Sequence, residues 1–170
     1  MFLPCQDLEA AAATFRQAET SALVQGMMLL VSEPTKTDYP CMLLEGGLTS
    51  SQTLHQVAQV SQADYVLLCL KPTPLTLGQG ALERMVRVAQ DSGAALVYAD
   101  HWEMRGHETV RHPAIDYQLG SVRDDFDFGS LLLISGPLLR QWAEQTDESQ
   151  WKYAGLYALR LFLSRNGQLF

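Results

Sequence analysis

The chain has 170 residues, 47% of them hydrophobic, and a formal net charge of −7. That is enough chain for one domain with its own core, and the composition is that of a globular protein rather than a disordered or fibrous one. The acidic balance excludes nucleic acid as the main partner, because neutralising phosphates takes a basic face; a nucleotide held by backbone amides or a metal stays open. No apolar run approaches the roughly 20 residues of a membrane-spanning helix, which leaves only peripheral association with a membrane. The start, "MFLPCQDLEAAAA", lacks the basic residues and long apolar run of a secretory leader. Cys5, Cys41 and Cys69 are widely spaced with no CxxC pair. Cys41 and Cys69 stand inside apolar runs and read as reduced core residues, so a reducing compartment, the cytoplasm, is expected.

In chain order, residues 8–25 read as an amphipathic helix with Leu8, Ala11, Ala12 and Phe15 at helical spacing. "GMMLLVS" (26–32) and "CMLLE" (41–45) read as buried strands around a proline-containing loop. "GGLTSS" breaks the second strand and offers hydroxyl caps to a helix over "SSQTLHQVAQVSQA". "DYVLLCL" (64–70) is the clearest strand, followed by a loop with two prolines. A helix over 81–93 buries Leu82, Met85, Val86 and Ala89, and Gly93 suits the position just past its end. "AALVYAD" (94–100) is another strand, 101–128 is polar and turn-rich, and "SLLLIS" is again strand-like. Helices follow over "GPLLRQWAEQ", with Pro137 near its start, and "WKYAGLYALRLFLSRNG". Strands that are apolar on both faces and alternate with helices predict an α/β fold with a mostly parallel central sheet covered on both sides. One domain spans 1–170, and "NGQLF", a helix stop followed by the first residues of a strand, reads as the N-terminal portion of a longer protein.

In such folds ligands sit outside the carboxyl ends of the strands, so the loops after residues 31, 45, 70 and 99 matter most. No Walker loop, GxGxxG, GxSxG or HExxH occurs. His55, His101, His107 and His112 do not share one helix at ligand spacing; a zinc site from the last three is the minor reading. Asp100 ends a buried strand in "YADHWE", where with His101 and Glu103 it would make a hard-ligand cluster or simply cap the turn. "GSVRDDFDFG" (120–129) gathers Asp124, Asp125 and Asp127 beside Arg123. If it is extended, Phe126 and Phe128 share one face and Asp125 and Asp127 the other, so the rings would fix the direction of the acids. An acidic loop locked by Arg123 is the plainer reading.

Three stretches carry a resemblance. "ADYVLLCLKPTPLTLGQGALERMVRVAQDSGAALVYADHWE" resembles the middle of a family 2 glycosyltransferase of GT-A fold. "YPCMLLEGGLTSSQTLHQVAQ" is similar to that family's first acidic strand and helix, and "HPAIDYQLGSVRDDFDFGSLLLIS" to a Bacteroides-type branch of it; the likeness covers roughly residues 26–165. It implies a three-layer nucleotide-diphospho-sugar transferase fold acting in polysaccharide or glycoconjugate biosynthesis. It implies a nucleoside-diphosphate-sugar donor, a glycan acceptor, Mg²⁺ or Mn²⁺ on a DxD motif, and an aspartate base. The chain departs from that pattern. Lys71, Pro72 and Thr73 stand where the DxD would, so metal independence is open, with Lys71 and Thr73 at the diphosphate. Glu45 takes the place of the first acid, with Thr49 and Ser50 after it. The catalytic acid pair before the last helix is missing, and only Arg160 of its "LRL" remains. The expected site is therefore Glu45, Lys71, Thr73 and Asp100 for the donor, Asp100 for a metal, and Asp124, Asp125 or Asp127 as base. The other readings are a binding module without turnover, and a metal-dependent hydrolase using Asp100, Asp124, Asp125 and Asp127.

Overall fold

The computed structural model describes residues 1–44, 46–118, 120 and 126–170. Among the described residues, thirteen elements follow one another as β1 (Phe2–Cys5), α1 (Leu8–Ala18), β2 (Met28–Val31), β3 (Cys41–Leu43), α2 (Ser51–Val60), β4 (Tyr65–Cys69), α3 (Ala81–Ser92), β5 (Leu96–Val97), β6 (His101–Arg105), β7 (Glu108–His112), β8 (Leu131–Ser135), α4 (Gly136–Gln145) and α5 (Gly155–Asn166). Six strands form one sheet in the order β3-β2-β1-β4-β8-β5, and β6 and β7 pair separately. The β1–β2, β2–β3 and β1–β4 pairs are parallel, while β8 runs antiparallel to both β4 and β5. This is the expected α/β architecture with a mostly parallel sheet.

Successive strand residues point to opposite faces, and that alternation sorts the core into two halves. On one face Phe2, Leu30, Val66, Leu68, Leu96, Leu132 and Ile134 meet α2, α4 and α5 through Leu54, Val57, Leu139, Trp142, Leu159 and Leu163. On the other, Leu3, Leu29, Val31 and Cys69 meet α1 through Ala11 and Phe15. On that same side Leu67, Val97 and Leu133 meet α3 through Leu82, Met85 and Ala89. The three layers are thus α1 with α3, the sheet, and α2 with α4 and α5. Among the described residues no helix is long and apolar enough to cross a membrane.

The caps are local. Ser50 accepts from the Thr53 amide at the start of α2, and Gly93 closes α3 at φ 64°, a left-handed conformation that a side chain disfavours. Four features depart from the sequence expectation. β1 is unexpected: it is four residues long and contains Pro4, which cannot donate to a ladder and argues against a central strand. It is central all the same, and its registered pairing with β4 is confined to Phe2 and Leu68. The first helix stops at Ala18 rather than near 25, where Glu19, Thr20 and Ser21 turn the chain and leave Leu23 exposed. The 101–128 segment contains a hairpin, β6–β7, turned at Gly106 with φ 63°. Cys69 is buried as expected, but Cys41 is exposed on the edge strand β3. The strand-like reading of "NGQLF" holds locally. Gln168 and Phe170 exchange backbone hydrogen bonds with Ala95, Leu96 and Tyr98 alongside β5.

Candidate functional site

Strand order reverses between β1 and β4, so the crevice for a ligand opens at their carboxyl ends. β1 runs through Gln6 and Asp7 directly into α1. Asp7 caps that helix, its carboxylate accepting from the Glu9 amide at 2.8 Å and the Ala10 amide at 3.4 Å. Those amides would otherwise offer an anion site, and the carboxylate both occupies them and adds negative charge. This end of the crevice is thereby unfavourable to an anion.

β4 ends at Cys69 and delivers Lys71 and Thr73 to the same edge, both exposed. The loop that carries them is pinned to α1. Thr14 Oγ1 accepts from the Leu75 amide at 3.1 Å. Gln17 donates to the Leu77 carbonyl at 2.8 Å and accepts from its amide at 2.9 Å. Sequence reading had no signal for these two helix residues, because their partners lie about 60 positions away.

β5 leads to Asp100 and the hairpin. One Asp100 oxygen accepts from Arg111 at 2.9 Å and the other from the Ala114 amide at 2.7 Å. Arg111 chiefly, then the amide, holds its carboxyl below the ordinary range. His101 and His112 are partners on the first rung, with rings 4.8 Å apart and 9° from parallel. Glu103 Oε2 lies 2.9 Å from Arg105 and 3.1 Å from His112 Nε2. The Arg105 hydrogen bond, first, keeps that carboxyl low, with Lys71 and His112 acting in the same sense. His107 stands in the turn at the far end of the hairpin, so the His101, His107 and His112 trio does not converge.

β8 is antiparallel, so its amino end reaches this same edge; the Leu70 amide donates to the Ser130 carbonyl at 2.8 Å. Just before it, Phe126 and Phe128 pack on each other and on Tyr98, and Phe128 is 1% exposed. Asp127, between them, points to solvent and accepts from the Gly129 amide at 2.8 Å. The rings therefore fix its direction, as the alternation predicts. Gly129 sits at φ 78°, and a Cβ there would lie 3.1 Å from the Ala99 carbonyl and 3.4 Å from His101 Nδ1. Arg160 of α5 lies over the Phe128 ring at 4.7 Å. Burial pushes its pKa down to about 10, with the charge of Asp127 opposing that shift. Glu45, Arg123, Asp124 and Asp125 lie outside the described residues.

The structure thus brings Lys71, Thr73, Asp100 and Asp127 of the expected set to one sheet edge, together with His101, Glu103, His112 and Arg160. These residues do not fit a divalent ion. Both Asp100 oxygens are engaged, Glu103 is bound by Arg105, and among the described residues no group of three or more His, Cys, Asp or Glu could hold a metal. A cavity of about 680 Å³ opens elsewhere, at the amino edge of the sheet, lined by Met1, Leu23, Met27, Tyr65 and Val86 among others.

No protein-family model matches the chain, and no curated protein does. Solved structures do. One is 4-diphosphocytidyl-2C-methyl-D-erythritol synthase from Anaerococcus prevotii, with TM-score 0.57 and 10% identity, covering 99% of this chain and 84% of that one. Another is the bifunctional IspDF from Campylobacter jejuni, with TM-score 0.52 and 10% identity. It covers 100% of this chain, which spans only 42% of that protein. At such identity the likeness establishes the fold alone: the central sheet and its helices are arranged as in these enzymes.

Proposed function

We propose that this chain is the donor-binding domain of a glycosyltransferase that moves a sugar from a nucleoside-diphosphate sugar to a glycan acceptor. The observation that carries this reading is the position of Lys71, a cation at the carboxyl end of β4 where the strand order reverses. Asp7 has closed the helix N-terminus on the other side of the crevice. A lysine is a point charge suited to a phosphate and would neutralise the leaving diphosphate without a metal. The fold likeness supports the same ligand chemistry, since the diphosphocytidyl group in one neighbour's name is a nucleoside diphosphate joined to an alcohol. For inverting transfer a carboxylate must take the acceptor's proton as its oxygen attacks the anomeric carbon. Asp127 is the described candidate; α5 has no acid in its first turn to share that role.

That missing acid favours the second reading, a domain that binds the donor without turning it over. Calorimetric titration with uridine, guanosine, cytidine and thymidine diphosphates and their sugars, with Mn²⁺ and with chelator, tests both. Saturable binding of one nucleotide that survives chelator and weakens about tenfold in Lys71→Ala, or about 1.4 kcal/mol, is expected. Sugar release or transfer by the same protein selects the enzyme over the binding module. Absence of binding to every nucleotide overturns both readings.

A further inference from the structure

One carboxylate on the candidate edge already occupies the position of an anion. Two cationic or imidazole side chains contact Glu103, and two more act on it at longer range. Arg105 holds it at 2.9 Å, His112 Nε2 lies at 3.1 Å from the same oxygen, and the charge of Lys71 acts on it from the turn after β4. The His101 ring stacks on His112 and feels the Glu103 charge as well. The carboxylate does not satisfy this surround. His101 Nε2 is buried without a hydrogen-bond partner among the described residues, and His112 Nε2, though 3.1 Å from the Glu103 oxygen, makes no well-aligned hydrogen bond to it. A buried ring nitrogen left so is costly, and a larger anion with more oxygens would satisfy both. Glu103 itself is 37% exposed along its side chain, so it can leave without unpacking the core.

We propose that the space filled by the Glu103 carboxylate is the diphosphate site of the donor. Lys71, His101, His112 and Arg105 hold the diphosphate, and Glu103 is a resident competitor that the ligand displaces. This rests on the donor-binding reading. A diphosphate offers several oxygens and two negative charges to a cluster that now shares one carboxylate, so the exchange gains both charge and hydrogen bonds. The other charges nearby are accounted for. Asp100 is closed on Arg111, and Asp127, on the β8 side of His101, leaves a negative wall against which the ligand is oriented. The disagreement between these residues and a divalent ion then has a physical reason, because the positive charge that a metal would bring is supplied by side chains.

The test is calorimetric titration of the full chain with UDP-glucose and GDP-mannose in the presence of chelator. The wild type is compared with Glu103→Gln, His101→Gln and His112→Gln, each checked by circular dichroism for an unchanged fold. Glu103→Gln is expected to tighten binding several-fold by removing the competitor's charge, or to reveal binding where the wild type shows none. His101→Gln and His112→Gln are expected to weaken it several-fold. Binding that is equal or weaker in Glu103→Gln overturns the displacement, and binding unchanged in both histidine variants overturns the clamp; either result leaves the donor-binding reading standing. Absence of binding in the wild type and in Glu103→Gln alike overturns the clamp together with the donor reading for these two nucleotides.

Discussion

Arg111 Nη2 lies 2.9 Å from Asp100 Oδ2, joining the residue before β6 to the return strand of the hairpin. The carboxylate's other oxygen is on the Ala114 amide, so Asp100 is a structural tie and is not free to bind a metal. Asp100→Asn, like the wild type, is expected to show no saturable Mn²⁺ binding by calorimetry. It speeds amide exchange over 101–114 while the global unfolding midpoint barely moves, since the pair is exposed to solvent. Saturable Mn²⁺ binding by the wild type that this variant loses would restore the ligand role.

Gly136 starts α4 directly against the strand-entry turn, its amide donating to the Asp64 carbonyl at 2.7 Å. A Cβ at this position would collide with the Ala63 carbonyl, which is backbone and cannot swing aside. Gly136→Ala is expected to cost about 1–3 kcal/mol in urea unfolding. Gly78→Ala, with no atom within 4 Å of the added carbon, is expected to stay within about 0.5 kcal/mol of wild type. Equal stability of the two variants would refute the packing.

His55, 6% exposed, has its ring 5.2 Å from Trp142 and its Nε2 3.0 Å from Thr146 Oγ1. Burial lowers its pKa, outweighing the opposite pull of Glu148 and Asp147. The native state therefore holds this ring neutral where the unfolded chain would protonate it. As pH falls the unfolded state takes up more protons, and stability drops between about pH 7 and pH 5. His55→Gln is expected to flatten that slope in urea titrations at several pH values. His101, lowered chiefly by burial as well, leaves part of it. A slope unchanged in the variant would show that His55 titrates alike in the folded and unfolded chain.

Cys69 is buried in the sheet, which pushes its thiol up to about 12, whereas Cys41 is exposed. A thiol reagent at neutral pH is expected to label Cys41 first and Cys69 only after denaturation. Mass spectrometry of the labelled peptides reads the order, and early labelling of Cys69 would contradict the central position of β4.

Much of the fold was legible because local chemistry and long-range packing agree. Apolar runs such as "DYVLLC" are buried on both faces, and Ser50 and Gly93 mark helix ends by their own side chain or lack of one. β1 was hidden because four residues with a proline carry no periodicity; its two neighbouring strands make it a strand. The hairpin was hidden because neither of its faces is a buried apolar one: His101, Glu103 and His112 line one, and Trp102 and Met104 on the other are exposed.

The site divides in the same way. Sequence by itself determined the layered α/β class, the absence of a DxD at residues 70–73, and the alternation that aims Asp127 outward from Phe126 and Phe128, because each is a matter of residue type and spacing along one segment. Only the tertiary structure decided that Asp100 belongs to Arg111 and that Lys71, His101 and His112 act on the Glu103 carboxylate. Those relationships join separate strands across the sheet edge, and electrostatics depends on distance in space, to which position along the chain gives no guide.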